Sequence, residues 1–169
     1  ILEDGIETSL PTFKRHLMSY QEDELFPSDL NSLEKIVQET EMGRESFRAW
    51  YRNPSRASQD SLGIAYSNSS DFSIVRPDFV FFSLNKDKSI AVDIVDPHSH
   101  HLADALPKLK GLAQYAETHA SHYRRIEGVS DLGGNIRVLD LTDKAVRKEI
   151  LKAENAKSLY ESNVAYDYV

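Results

Sequence analysis

The chain contains no cysteine, which excludes disulfide bonds and thiolate metal sites and fits a cytoplasmic location. No apolar run approaches the roughly 20 residues that a membrane helix requires, so we expect no membrane span. The first residues, ILEDGIETSL, lack both an initiator methionine and the basic and apolar segments of a signal peptide. We therefore expect a cytoplasmic piece of a longer protein.

An excess of positive charge is also missing, because the net charge is −7. This argues against a protein that coats nucleic acid through charge alone. The acids are unevenly placed, however, since residues 1–50 contain 11 acids and 5 bases whereas the remainder contains 16 and 15. The second part is therefore able to present a basic face to phosphate groups.

The 169 residues, 40% of them hydrophobic, are enough for one domain with a packed core. Leu30, Leu33, Ile36 and Val37 recur at helical spacing, and we expect that helix to continue through ESFRAWY at 45–51. The later segments alternate between strand and helix patterns: strands at 61–66, 72–82 and 89–95, a helix at 104–119, strands at 124–129 and 136–141, and a helix at 143–154. This order predicts an α/β fold with a mixed central sheet flanked by helices.

Two strands carry acids among apolar residues. Asp78 lies in RPDFVFF, where it is either a polar residue on an edge strand or a carboxylate facing a cleft. Asp93 and Asp96 interrupt the strand SIAVDIVD, and a buried strand rarely carries acids without partners. Hairpin pairing of these strands would bring the carboxylates together in an oxygen-rich site suited to Mg²⁺, or to Mn²⁺ in its place.

Two basic side chains follow this strand. His98 either orients a water, contacts phosphate or binds metal, or it simply forms a turn with Asp96 and Pro97. Lys108 either pairs with Asp104 on the surface of the next helix or reaches back to the strand ends to stabilise charge on a phosphate. A zinc site built on His98, His100 and His101 is a weaker alternative, because H-x-H-H is not a usual zinc spacing.

Two arginines lie near aromatic residues in the segment WYRNPSR. Arg52 and Arg56, beside Trp50 and Tyr51, are candidates for contacts to a DNA backbone and its bases. The alternative is that the aromatic rings are buried anchors and the arginines are solvated.

The string RPDFVFF, a short turn, an apolar strand ending in acids and a helix bearing a lysine together resemble the PD-(D/E)XK nuclease superfamily. The longer string AWYRNPSRASQDSLGIAY…RPDFVFF…IVDPHSHHLADALPKLKGLAQYAE resembles the C-terminal endonuclease-like domain of DEAD/DEAH-box helicases related to the restriction subunit of type III restriction enzymes. This resemblance covers roughly residues 28–130. It implies a restriction-endonuclease-like α-β-β-β-α-β core at 28–154, preceded by an N-terminal extension or linker from the helicase region at 1–27 and followed by a tail at 155–169.

The resemblance also implies an activity, namely Mg²⁺-dependent hydrolysis of DNA within a larger helicase chain. Asp78 matches the first acid of the motif, and Asp96 or Asp93 matches the second. The lysine expected two residues after the second acid is absent, because Val95 or His98 occupies that position. Either His98 or Lys108 therefore takes its place, or the domain is a degenerate module that binds DNA or docks on the helicase without cleaving.

Overall fold

A computed structural model describes residues 2–3, 6–7, 9–19, 24–68 and 71–168 of the chain. Its elements in chain order are β1 (Leu2–Glu3), β2 (Ile6–Glu7), β3 (Thr12–Lys14), β4 (Leu25–Pro27), α1 (Ser32–Met42), β5 (Phe47–Arg52), β6 (Ile64–Asn68), β7 (Asp71–Val75), β8 (Phe79–Leu84), β9 (Ile90–Pro97), α2 (Ala105–His119), a 3₁₀ turn (Ala120–His122), β10 (Arg125–Leu132), β11 (Asn135–Asp140), α3 (Lys144–Lys152), α4 (Ala156–Glu161) and β12 (Tyr166–Asp167).

The centre of the molecule is a six-stranded mixed sheet in the order β5-β8-β9-β10-β11-β12. Its strand pairs are antiparallel except β9 and β10, which are parallel. A parallel pair needs a crossover connection, and α2 supplies it. The predicted α/β fold with a mixed central sheet flanked by helices is confirmed, and the core elements α1, β5, β8, β9, α2 and β10 follow one another in α-β-β-β-α-β order.

Helices cover both faces of this sheet. On one face Val37 of α1 packs in a cluster with Trp50 and Phe79, and we call this the α1 face. On the other face Leu109 of α2 packs with Ile126, in a cluster that also includes side chains of α3 and α4. We call this second side the α2 face. Because side chains alternate along each strand, the polar residues of β8, β9 and β10 are divided between the two faces of the sheet.

The segment at 45–51 is a strand, β5, and the predicted helical continuation is wrong. Phe47 and Trp50 lie three residues apart in this strand. The pairing of β5 with β8 shifts register between Phe47 and Ala49, and such a bulge brings residues at odd spacing to one side of a strand. Both rings therefore reach the α1 face from a strand rich in aromatic residues, which favour extended backbone.

The predicted strand at 72–82 is two strands, because the chain leaves β7 at Val75 and enters β8 at Phe79. Pro77 lies at the break, where it has no N–H to offer to a ladder. The predicted strand at 61–66 corresponds to β6, which does not join the central sheet. It pairs with β7 in a separate hairpin that packs on α2. A side chain at Gly111 would place its Cβ 2.5 Å from the Tyr66 ring, so this contact requires glycine.

Segments at both ends of the chain pack on the sheet. His16 bridges to Trp50, and the Trp50 indole N–H donates to the carbonyl of Lys14 at 2.8 Å. At the other end, β12 extends the sheet beside β11, and Tyr160 of α4 is fully buried. Residues 1, 4–5, 8 and 20–23 of the predicted extension, and residue 169 of the predicted tail, lie outside the described residues.

Candidate active site

Two carboxylates meet where β8 begins and β9 ends. Phe79 lies opposite Val95, so Asp78 precedes β8 beside Asp96 at the end of β9. The main-chain N–H of Asp78 donates to Oδ1 of Asp96 at 3.0 Å. The Asp96 side chain is 6% exposed and that of Asp78 is 22% exposed. The structure therefore brings together Asp78 and Asp96, which the sequence predicted to meet. The side chain of Asp78 is the more exposed of the two.

Asp78 carries an unusual charge balance. Burial raises the pKa of its carboxyl group, the negative charge of Asp96 raises it further, and the Arg52 guanidinium opposes both effects. The result is a pKa of about 6, compared with an ordinary value of 3.8. A pair of carboxylates that is only partly compensated in this way attracts an additional cation.

Arg52 joins this pair to the helix on the α1 face. Its Nη1 donates to Oδ1 of Asp78 at 2.5 Å and its Nη2 donates to Oε1 of Glu34 at 2.7 Å. The second oxygen of Glu34 accepts the N–H of Asn31 at 2.9 Å, which completes the capping box of α1. The guanidinium of Arg52 is thus held within the site, whereas Arg56 is exposed in the loop between β5 and β6.

Lys108 lies in the first turn of α2. Its Nζ lies 2.6 Å from Oδ2 of Asp104, and its side chain is 38% exposed. Burial lowers the pKa of Lys108, but the hydrogen bond and charge of Asp104, together with the charges of Asp96 and Asp78, raise it overall. The surface pair with Asp104 is therefore present, and the charges of Asp96 and Asp78 also act on Lys108, whose contact with a phosphate stays a prediction.

His98 has hydrogen-bond partners at both ring nitrogens. Nδ1 lies 3.1 Å from the carbonyl oxygen of Asp96 and 3.4 Å from its Oδ2, and Nε2 lies 2.9 Å from the hydroxyl of Tyr160. A proton on Nδ1 satisfies this arrangement, because the Tyr160 hydroxyl then donates to Nε2. A Cβ at Gly128 would lie only 3.0 Å from that hydroxyl, so glycine leaves the room it needs. The structure thus shows His98 hydrogen-bonded to Asp96 on one side and to Tyr160 on the other, where it helps to hold Asp96 in position.

Asp93 lies on the opposite face of β9, away from Asp78 and Asp96. Its carboxylate accepts from Nε of Arg124 at 3.0 Å, from Nη2 of Arg124, and from Nη2 of Arg125 at 2.9 Å. Burial raises the pKa of Asp93, but the two arginines outweigh burial and lower it. Arg125 also contacts Glu41 at 2.6 Å and Glu127 at 3.3 Å, so Asp93 belongs to a buried ionic network at the middle of β9.

The remaining histidines of the cluster do not converge. The Nδ1 of His100 lies 3.0 Å from the hydroxyl oxygen of Ser130, and the ring contacts that of His101 at 3.8 Å between centroids. Within the described part of the chain, no three His, Cys, Asp or Glu side chains are arranged to hold a metal ion. The zinc alternative therefore finds no support in this geometry.

Mg²⁺ places a smaller demand on the protein, because it retains several waters and is commonly bound by one or two carboxylates together with substrate phosphates. The oxygens of Asp78 and Asp96 fit this ligand set. The raised pKa of Asp78 is the observation that favours it, since a bound cation would relieve the repulsion between the two acids. These two residues are accordingly the ones that would hold the ion.

Three residues that contact predicted site residues were not themselves predicted from the sequence. Glu34 had a local signal, because Asn31 and Glu34 have the spacing of a capping box, but its ion pair with Arg52 is long-range. Tyr160 contacts His98 although the two residues are 62 positions apart in the chain, and no local sequence pattern predicts such a contact. The same holds for Arg125, whose partner Glu41 lies in α1.

Comparison with known proteins gives the family. The model of the YagJ family matches residues 14–169. The chain belongs to the YagJ family. It is 51% identical over 168 residues to Protein YagJ of Escherichia coli (strain K12), an alignment that spans 99% of this chain and 68% of that protein. No solved structure gives a significant match. Within the described residues, no helix is long and apolar enough to cross a membrane.

Proposed function

We propose that this YagJ-family chain is a Mg²⁺-dependent DNA endonuclease domain that hydrolyses phosphodiester bonds. The observation that carries the proposal is the acid pair: Asp78 and Asp96 adjoin at the ends of neighbouring strands, with Lys108 close enough for its charge to couple to both. The resemblance to PD-(D/E)XK nucleases leads one to expect two acids and a lysine, and here Lys108 of the following helix would replace the lysine that the motif lacks. The required contact with DNA predicts a cytoplasmic location.

Each residue has a distinct part in this proposal. A Mg²⁺ ion bound at Asp78 and Asp96 would polarise the scissile phosphate as a Lewis acid. Lys108 places a positive charge beside the acid pair, where negative charge develops on the phosphate in the transition state. Both ring nitrogens of His98 already have hydrogen-bond partners in Asp96 and Tyr160. We therefore assign the role of the motif's missing lysine to Lys108.

Arg52 has a role other than the predicted contact to DNA. Because its guanidinium bridges Asp78 and Glu34, a phosphate contact would have to compete with two ion pairs. We assign it to holding Asp78 in place, and we keep Arg56, which is exposed, as the candidate for contact with the DNA backbone.

A second candidate is a catalytically degenerate module that binds DNA or docks on the rest of a helicase chain. The specific observation in its favour is the ion pair between Arg52 and Asp78, which occupies one oxygen of the first acid. Such a module would retard DNA in a gel but would leave it intact with either Mg²⁺ or Mn²⁺.

A nicking assay separates these two functions. The wild-type chain and the variants Asp78→Asn and Asp96→Asn are incubated with supercoiled plasmid and either Mg²⁺ or Mn²⁺. Asp87→Asn is the matched control, because Asp87 is an exposed carboxylate in the turn at the opposite ends of β8 and β9. We expect nicking by the wild type and the control and a loss of at least about 100-fold in the two site variants. Equal nicking by all four proteins would overturn the assignment.

A further inference from the structure

A basic groove lies at the opposite end of β8 and β9 from the acid pair. It has a volume of about 930 Å³ and is bordered by three segments of the chain: Arg44–Arg48, Leu84–Lys88 and Arg124–Arg125. Its lining includes six cationic side chains and one acid, Glu45. Asp87 is absent from the lining, and its carboxylate accepts from the N–H and hydroxyl of Ser89 instead. This concentration of cations contrasts with the net charge of −7 of the whole chain.

Arg124 is fixed in the wall of this groove. Its Nε and Nη2 bind the two oxygens of Asp93, a carboxylate whose side chain is fully buried. Nη2 also donates to the hydroxyl of Ser83 at 3.1 Å, while the contact from Nη1 to the hydroxyl of Ser46 is longer, at 3.4 Å. Nη1 is therefore the guanidinium nitrogen least committed to the protein. An arginine anchored in this way loses little side-chain entropy when it binds an anion.

The cations also differ in what neutralises them. The charges of Arg124 and Arg125 are balanced by the buried acids behind them. Lys86 and Lys88 are exposed in the turn between β8 and β9 and contribute charge at the rim. The groove thus combines positioned donors in its wall with exposed charges at its edge.

We propose that this groove binds a compact polyanion that carries two or more phosphate groups. Its cations converge on one concavity from three chain segments instead of following a line, which suits a compact ligand better than an extended nucleic-acid strand. The volume lies within the range of small-molecule sites, about 300–1,000 Å³. Among the residues that the structure describes, no aromatic ring lines the groove, so recognition rests on phosphate and not on the stacking of a base.

The groove and the acid pair are separate sites. They lie at opposite ends of β8, whose six residues span about 20 Å at 3.3 Å per residue. Polyanion binding in the groove therefore does not depend on the proposed nuclease activity, and a binding measurement alone tests it.

Calorimetric titration with sodium tripolyphosphate tests the proposal. The rim variant Lys86→Gln/Lys88→Asn removes two charges, and asparagine suits the left-handed backbone of Lys88, with φ of 70°. The wall variant Arg124→Lys keeps a cation beside Asp93 but removes the bidentate contact. The control Lys144→Gln/Lys148→Gln removes two exposed charges from α3, outside the groove. Circular dichroism confirms folding of each variant.

We expect saturable binding of one tripolyphosphate by the wild type and the control, and affinity reduced roughly three- to tenfold in the rim variant and further in the wall variant. If the wall variant fails to fold, the rim variant and its control still decide the matter. An absence of saturable binding to the wild type would overturn the proposal, as would equal weakening by the rim variant and the control. Binding of a single-stranded oligonucleotide that tripolyphosphate fails to displace would overturn the assigned ligand class.

Discussion

The main-chain N–H of Asp78 donates to the carboxylate of Asp96 at 3.0 Å, which joins the residue before β8 to the end of β9. This contact gives Asp96 a fixed position and leaves the Asp78 carboxylate directed toward Arg52 and the more open side. The two acids therefore have unequal roles, with Asp96 as the buried anchor and Asp78 as the group whose protonation responds to its surroundings.

The buried position of Asp93 predicts a structural role. Asp93→Ala removes the carboxylate that Arg124 and Arg125 share and leaves two guanidinium groups without it. We expect a loss of about 3–5 kcal/mol in the free energy of unfolding, measured by urea denaturation. Asp87→Ala, an exposed change in the β8–β9 turn, should alter stability by no more than about 0.5 kcal/mol. Similar stability of the two variants would contradict the role assigned to Asp93.

Glu127 predicts a pH dependence of stability. Burial raises the pKa of its carboxyl group to about 7, against the lowering effects of Arg125 and Tyr166. Because the folded state holds this proton more tightly than the unfolded state, stability falls as pH rises from about 4.5 to about 7. Glu127→Gln should therefore gain stability relative to the wild type across that window, by about 1–3 kcal/mol. Thermal unfolding between pH 4 and pH 8 measures the difference.

The matched control for that series is Glu154→Gln, which changes an exposed acid between α3 and α4. Its difference from the wild type should stay constant over the same pH range. A constant difference for Glu127→Gln as well would mean that the pKa of Glu127 is the same in the folded and unfolded states.

The hydroxyl of Tyr160 predicts a positioning effect on the acid pair. Tyr160→Phe removes the donor to Nε2 of His98 and should cost about 1–3 kcal/mol of stability. Because His98 supports Asp96, the variant should also bind Mn²⁺ more weakly. Tyr115→Phe is the control, because the hydroxyl of Tyr115, in α2, forms its hydrogen bond with the hydroxyl of Tyr123 and not with His98. An equal effect of both variants on Mn²⁺ affinity would contradict the positioning role.

Lys108 and Lys110 provide a comparison within one turn of α2. Lys108 lies near the acid pair, whereas Lys110 points elsewhere on the helix, about 200° around its axis. Lys108→Gln should reduce the rate of plasmid nicking at least about tenfold, and Lys110→Gln should change it less than about twofold. If Lys108→Gln nicks at the wild-type rate, another group must stabilise the phosphate.

Much of the site followed from the sequence, because its acids lie in strands that pair locally. Asp78 and Asp96 come from strands joined by a short turn, so the alternation of apolar residues was enough to place them together. The pattern failed at β5, where a bulge reproduces the spacing of a helix, and at Pro77, where one apolar run divides into two strands. The partners Glu34 and Tyr160 depend on how whole helices pack on the sheet.

Mn²⁺ binding followed by electron paramagnetic resonance tests the central claim, that Asp78 and Asp96 together form a divalent-cation site. The wild type should bind Mn²⁺ with an affinity that decreases as pH falls through about 6, because Asp78 is then protonated. Asp96→Asn should lose at least about tenfold in affinity, and Asp87→Asn should retain the wild-type value. Equal Mn²⁺ affinity in wild type and Asp96→Asn, with no change across pH 6, would contradict the account.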